Sequence, residues 1–188
     1  NHGSDSTLEI ISYYKKTIRN IKERHDYIPI RIGLVGEIYT LIEPFVNVNI
    51  EKKLGELGVE VDKSLTISGW VKDHMYVNVW HRVKEKNILK KGSAYLDLCV
   101  GGHAWQTIAN SVNYSDIGFD GIIQIMPFGC MPEIVAQSIL PTIADDKDIP
   151  IMTLTVDEMT GSGGYYTRLE AFVDLIKERS RRGYVKRE

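Results

Sequence analysis

The 188-residue sequence holds only two cysteines, Cys99 and Cys130. That is too few for a disulfide framework, and two thiols alone cannot complete a tetrahedral zinc site. Charge of one sign is also missing: 23 Lys and Arg stand against 25 Asp and Glu, a net charge of −2. Such a balance argues against a basic nucleic-acid binder and against an acidic solvating tail. No apolar run approaches the roughly 20 residues that cross a bilayer. No charged-apolar-small leader pattern opens the chain, and repeats and low-complexity tracts are lacking. These absences leave the expectation of a soluble, cytoplasmic protein with neither a nucleic-acid nor a membrane partner. What is there is ordinary for a globular protein, with 43% hydrophobic residues. A chain of this size can bury roughly 70% of its unfolded surface without metal or disulfide.

The apolar pattern alternates between two kinds of segment. Residues 1–4 read as the remnant of an expression tag and residues 5–28 as an N-terminal helix, with Ile11, Tyr14, Ile18 and Ile21 at helical spacing. This helix is expected either to pack on the sheet or to lead to a further domain. Residues 29–188 read as one lobe. Within it, Ile30 to Val35, Val59 to Val61, Gly121 to Met126 and Ile151 to Val156 are short and apolar enough for buried strands. Helices are expected from Pro44 to Gly58, His103 to Tyr114, Pro132 to Ile143 and Thr167 to Arg179. Val135, Ile139 and Thr142 or Ile143 are the inward residues expected of the third, and Leu169, Phe172, Val173 and Ile176 of the fourth. Ser68 to Lys91 suits a helix weakened by β-branched residues, and Ala94 to Val100 suits either a strand or a helical turn. Alternating strands and helices predict a parallel sheet covered on both faces. The order 2-1-3-4 makes the lobe a flavodoxin-like, Rossmann-like three-layer α/β/α domain with about four strands.

In such sheets ligands bind beyond the carboxyl ends of the strands, where the strand order reverses. The residues leaving the first and third strands are Glu37 and Tyr39, and Phe128, Gly129, Cys130 and Glu133. Asp157 and Glu158 leave the fourth strand nearby. Cys130 precedes Met131-Pro132, and proline favours the first turn of a helix. The positive end of a helix dipole favours thiolate, the form that ligates metal. The plainer reading, a small residue packed in a tight turn, has equal weight on position alone. Cys99 lies in an apolar stretch and reads as inert. Gly161-Ser-Gly-Gly164 lacks the Lys-Ser/Thr of a phosphate-binding P-loop and reads as a flexible connection. His74, His81 and His103 read as solvated or locally bonded residues. The basic tail from Lys177 to Lys186 complements a helix C-terminus rather than binding RNA.

Three strings occur in one order: Gly33-Leu-Val-Gly-Glu-Ile-Tyr39 with Glu43-Pro-Phe-Val-Asn47; Gly118-Phe-Asp-Gly-Ile-Ile-Gln-Ile-Met-Pro-Phe-Gly-Cys-Met-Pro-Glu133; and Ile149-Pro150 through Asp157-Glu158 to Thr167-Arg-Leu-Glu-Ala-Phe172. Together they resemble the C-terminal lobe of the 2-hydroxyacyl-CoA dehydratase-like iron–sulfur proteins, nearest to the activase-related branch. The likeness runs from about residue 30 to residue 177 and is thin between Leu65 and Val100. It implies a lobe of a larger protein in which Cys130 is one ligand of a [4Fe–4S] cluster. The remaining thiolates would come from another cysteine-bearing lobe or subunit. It further implies low-potential electrons from an activator-type ATPase, an acyl-CoA as a candidate partner, and Glu37, Tyr39, Phe128, Gly129, Glu133, Asp157 and Glu158 as cavity-lining candidates. No catalytic residue follows from it, and the lobe alone is expected to be inactive and free of cluster. Two other readings stand beside it: a non-catalytic docking or regulatory module for an activator ATPase, and a flavodoxin-like domain that binds a nucleotide or flavin.

Overall fold

The computed structural model describes residues 2–22, 28–69, 71, 79–98 and 100–182, by backbone alone at 2–5, 79–85 and 162. In chain order the elements are α1 (His2–Arg19), β1 (Ile30–Gly36), α2 (Ile38–Ile42), α3 (Ile50–Glu56), β2 (Val59–Lys63), α4 (Val79–Gly92), α5 (Ala104–Asp116), β3 (Gly121–Pro127), α6 (Met131–Lys147), β4 (Ile151–Val156) and α7 (Ser162–Arg181). The strands are all parallel and lie in the order β2-β1-β3-β4. This is the flavodoxin-like α/β arrangement that the alternating pattern predicts. Among the described residues, no helix is long and apolar enough to cross a membrane.

Both faces of the sheet are covered, which is why β1 and β3 are apolar almost throughout. Ile32, Leu34, Ile123, Ile125 and Leu154 share one core with Leu41 of α2, Ile50 and Leu54 of α3, and Leu169, Val173 and Ile176 of α7. On the other face, Val35 and Ile122 meet Tyr114 of α5. Ala104, Ile108 and Val112 of α5 pack against Ala136, Leu140 and Ile143 of α6. Gly33 is required on this face, because a Cβ there would stand 2.4 Å from the Tyr114 ring. The Tyr114 hydroxyl reaches Asp62 of β2 at 3.1 Å. Burial, with that carboxylate beside it, pushes the phenol well above its usual range.

A buried carboxylate ties the entry of β3 to β1. Asp120 accepts from the Arg31 backbone N–H at 2.8 Å, while its own N–H donates to the Arg31 carbonyl at 2.9 Å. Asp120→Ala removes one partner of a charge-assisted bond, and a loss of about 2 kcal/mol is expected. Urea unfolding should show it as a lower midpoint with an unchanged slope.

Several local expectations change in the folded chain. Pro44 does not open a helix; β1 runs directly into α2, and Val48 (φ 54°) and Asn49 (φ 53°) are left-handed, so α3 starts only at Ile50. Left-handed residues cannot continue a right-handed helix. The inward stripe of α6 is Glu133, Ala136, Leu140 and Ile143; Val135 and Ile139 are half-buried and Thr142 is exposed. Gly163 and Gly164 belong to the first turn of α7 rather than to a loose connection. Among the described residues, 94–98 and 100 form no strand and turn between α4 and α5. The helical reading of 68–91 is met by α4 from Val79 onward; residues 72–78, including His74, and Cys99 lie outside the described residues. Helix α1 does not pack on the sheet: every side chain from Ser6 to Lys22 is exposed.

Candidate functional site

Parallel pairing brings three strand ends to one edge. Gly36 stands opposite Ile125, and Pro127 stands opposite Val156. Beyond those pairs the ladder continues for one bond on each side, from Glu37 N–H to the Ile125 carbonyl at 3.2 Å and from Phe128 N–H to the Val156 carbonyl at 2.9 Å. The first residues past β1, β3 and β4 therefore leave from one edge, Phe128 next to Asp157 in register and Glu37 beside Met126.

Each of these exits has its own local lock. Glu37 is the N-cap of α2, and its carboxylate accepts from the Thr40 N–H at 3.0 Å. That is the role a side-chain oxygen commonly plays at this position. Two residues on, Tyr39 is exposed. After β3 the chain makes a tight turn, Gly129 taking φ 77° so that the Cys130 N–H reaches the Pro127 carbonyl at 3.2 Å. Asp157 closes a turn after β4, accepting from the Met159 N–H at 3.0 Å and the Thr160 hydroxyl at 2.9 Å. Asp157 and Glu158 are both exposed.

Cys130 is the N-cap of α6, with Pro132 in the first turn as the sequence pattern requires. Its thiol is free and the residue is half-buried. It makes no side-chain capping bond, so the sulfur is not committed to its own helix. Large apolar side chains flank it in sequence and stand out in solvent, Phe128 at 79% and Met131 at 69% exposure. The loop before α5 comes close to the same place: a Cβ on Gly102 would stand 2.9 Å from the Pro132 ring. His103, the N-cap of α5, follows at once and is half-buried.

Glu133 lies one turn along α6 and is fully buried. Its carboxyl oxygens accept from the Thr107 hydroxyl of α5 at 3.0 and 3.1 Å and from the Gln124 amide of β3 at 2.9 Å. The same amide also donates to the Glu133 carbonyl at 3.0 Å, and the Gln124 carbonyl oxygen accepts from the Thr153 hydroxyl at 2.8 Å. The Thr107 hydroxyl and the Gln124 amide are both neutral donors. Burial accordingly pushes the Glu133 carboxyl above its ordinary range; the Gln124 and Thr107 bonds oppose that rise, and Glu37 adds to it. Thr107, Gln124 and Thr153 were not singled out by sequence reasoning. The one available signal was Gln124, a polar residue in the middle of the apolar strand Gly121-Ile-Ile-Gln-Ile-Met126.

The arrangement supplies one uncommitted thiol at a helix N-terminus and a sheet edge. Among the described residues, no group of three or more His, Cys, Asp or Glu side chains could hold a metal ion. A [4Fe–4S] cluster held by protein thiolates needs four of them. These residues fit the part of a single-ligand donor and do not complete a cluster. No family model and no curated protein matches the sequence.

Proposed function

We propose that this chain is one lobe of a 2-hydroxyacyl-CoA dehydratase or activase-related protein, and that it offers Cys130 as a ligand to a [4Fe–4S] cluster shared with another cysteine-bearing lobe or subunit. The observation that carries the reading is the position of Cys130: half-buried, its thiol making no capping bond, and at the N-terminus of the 17-residue α6. Exposed Phe128 and Met131 on either side are the kind of surface a second lobe would cover, excluding water from the metal.

When bound, the cluster would supply low-potential one-electron transfer, fed by an activator-type ATPase, for reduction or dehydration of a substrate such as an acyl-CoA. The chain's own residues have simpler tasks. Gly129 allows the turn from β3 into α6 that places Cys130 at the helix start, and the Glu133–Gln124–Thr107 bonds hold the first turn of α6 against β3 and α5. Glu37 and Tyr39 stand on the adjacent strand exit.

Anaerobic reconstitution of the complete protein with ferrous iron and sulfide tests the reading. Cys130→Ser is expected to lose most of the bound iron and the visible charge-transfer absorption, with the fold intact by circular dichroism. Unchanged iron content in that variant would reject Cys130 as a ligand. If the variant also kept its binding to an activator ATPase, a docking module would be the better description.

A further inference from the structure

We propose that the surface closing over the strand exits is a basic one: the cysteine-bearing lobe or subunit that shares the cluster with Cys130, on the reading given above, meets this edge with Lys and Arg side chains set around an apolar centre. Both halves of that description come from what stands at the edge. Tyr39, Phe128, Met131 and Met159 are each more than half exposed. They lie at the exits of β1, β3 and β4, the same exits that carry the charge. Phe128 and Asp157 are next to each other in register, and Glu158 and Met159 follow Asp157 directly. Acidic and apolar side chains are therefore neighbours in one surface. Exposed apolar side chains bordered by polar ones mark an interaction site. The carboxylates make a phosphate-bearing ligand or an anionic membrane a poor occupant of it.

The charge there has a single sign. Among residues 37–49, 128–134 and 157–166 the charged side chains are Glu37, Glu43, Glu133, Asp157 and Glu158, with no lysine or arginine. Glu133 is interior, Glu37 and Glu43 are half-buried, and Asp157 and Glu158 are exposed. Cations on the neighbouring elements have partners of their own. Lys63 at the end of β2 pairs with Glu51 at 2.8 Å, Lys53 of α3 pairs with Glu170 at 3.1 Å, and Arg168 of α7 donates to the Thr153 carbonyl at 2.8 Å. Lys52 lines a shallow cavity with Glu56 and Tyr166. Basic residues gather instead where α6 and α7 end, with Lys147, Arg179 and Arg181. The chain as a whole is nearly balanced, so the acid at the strand exits is a local segregation. A [4Fe–4S] cluster on four thiolates adds further negative charge at the same place. Covering these carboxylates and the cluster with an apolar or acidic surface would bury charge of one sign without a counter-charge, which is strongly unfavourable. Two copies of this chain meeting edge to edge would set acid against acid. A basic surface with an apolar centre meets the carboxylates and buries the apolar side chains at once.

Release of iron to a chelator from the anaerobically reconstituted complete protein reads how firmly the edge is closed. The wild type should release iron faster as salt is raised, since charge pairs around the contact are screened. Asp157→Asn with Glu158→Lys removes two negative charges and adds a positive one; asparagine can still accept from the Met159 N–H, so the turn is kept. At low salt this variant should release iron at least about tenfold faster than the wild type and lose most of the salt response. Phe128→Ala with Met159→Ala should also speed release yet keep the salt response, because it removes apolar contact alone. Urea unfolding of the lobe should be unchanged in both, since none of these four side chains belongs to a core cluster. Unaltered or slower release in the charge-reversed variant, or a wild type indifferent to salt, would overturn the basic partner; if Cys130→Ser still loses its iron, the ligand assignment stands without it. Iron retained in Cys130→Ser would reject the ligand, and the basic partner with it.

Discussion

Gly36→Ala is expected to cost more stability than any other single-methyl change at the sheet edge. Gly36 closes β1 with φ 137°, a region open in practice only to glycine. A Cβ built there would lie 1.9 Å from the Ile125 carbonyl oxygen, a backbone atom with no room to yield. Moving it would disturb the pairing of β1 with β3 at the point where Glu37 N–H bonds the same carbonyl. Backbone strain and the clash together should remove about 4 kcal/mol, toward the upper end for single substitutions. Gly121→Ala makes the useful contrast. Its nearest obstacle is the Ile176 Cδ1 at 2.5 Å, the far end of a flexible side chain, and its φ is not in the left-handed region. Roughly 1 to 2 kcal/mol is expected there. Equal urea midpoints for the two variants would show that the Ile125 carbonyl is not the constraint described.

The second large effect belongs to Glu133. Glu133→Ala leaves the Thr107 hydroxyl and one bond of the Gln124 amide buried without their partner, and opens a cavity between α5, β3 and α6. A loss of about 3 kcal/mol follows from those terms. Its dependence on pH has a definite sign. The folded chain holds the Glu133 proton more tightly than the unfolded chain, where the carboxyl returns to its ordinary value near 4.5. Stability from this group is therefore fully present below that value and declines as pH rises through the raised folded one. Glu133→Gln keeps the shape and removes the charge, so its stability should lose this decline and overtake the wild type as pH increases. Urea unfolding of both proteins between pH 4 and pH 8 decides the matter. A wild type that gains stability relative to Glu133→Gln across that range would mean that the Gln124 and Thr107 bonds outweigh the cost of burying the carboxylate, contrary to the raised position described. Because Glu133 also steadies the first turn of α6, Glu133→Ala should disturb the Cys130 loop, whereas Glu133→Gln should not.

Much of the architecture was legible in the order of residues. Runs such as Ile30 to Val35 and Gly121 to Met126 can hardly be anything but buried strands, and parallel pairing follows from the helices between them. Their carboxyl ends then have to share one edge, which places the exits carrying Glu37, Cys130 and Asp157 on one rim. Helix limits were harder to read. Pro44 resembles a helix entrance, yet Val48 and Asn49 adopt left-handed backbone that delays α3 to Ile50. The inward stripe of α6 shifted because Glu133, a charged residue that patterning sends to the surface, takes an interior position once Gln124 and Thr107 are there to meet it.

By itself the sequence determined the α/β class and the placement of a cysteine at a helix start, since both depend on local periodicity and on short-range turn chemistry. The tertiary structure alone decided that Glu133 is buried, that Gly36 meets the Ile125 carbonyl, and that the side chains of α1 from Ser6 onward stand exposed. Thr107 lies 26 residues from Glu133 in the chain, and Gln124 lies 29 from Thr153. Contacts at such separations arise when whole elements dock, and no pattern of neighbouring residues encodes them.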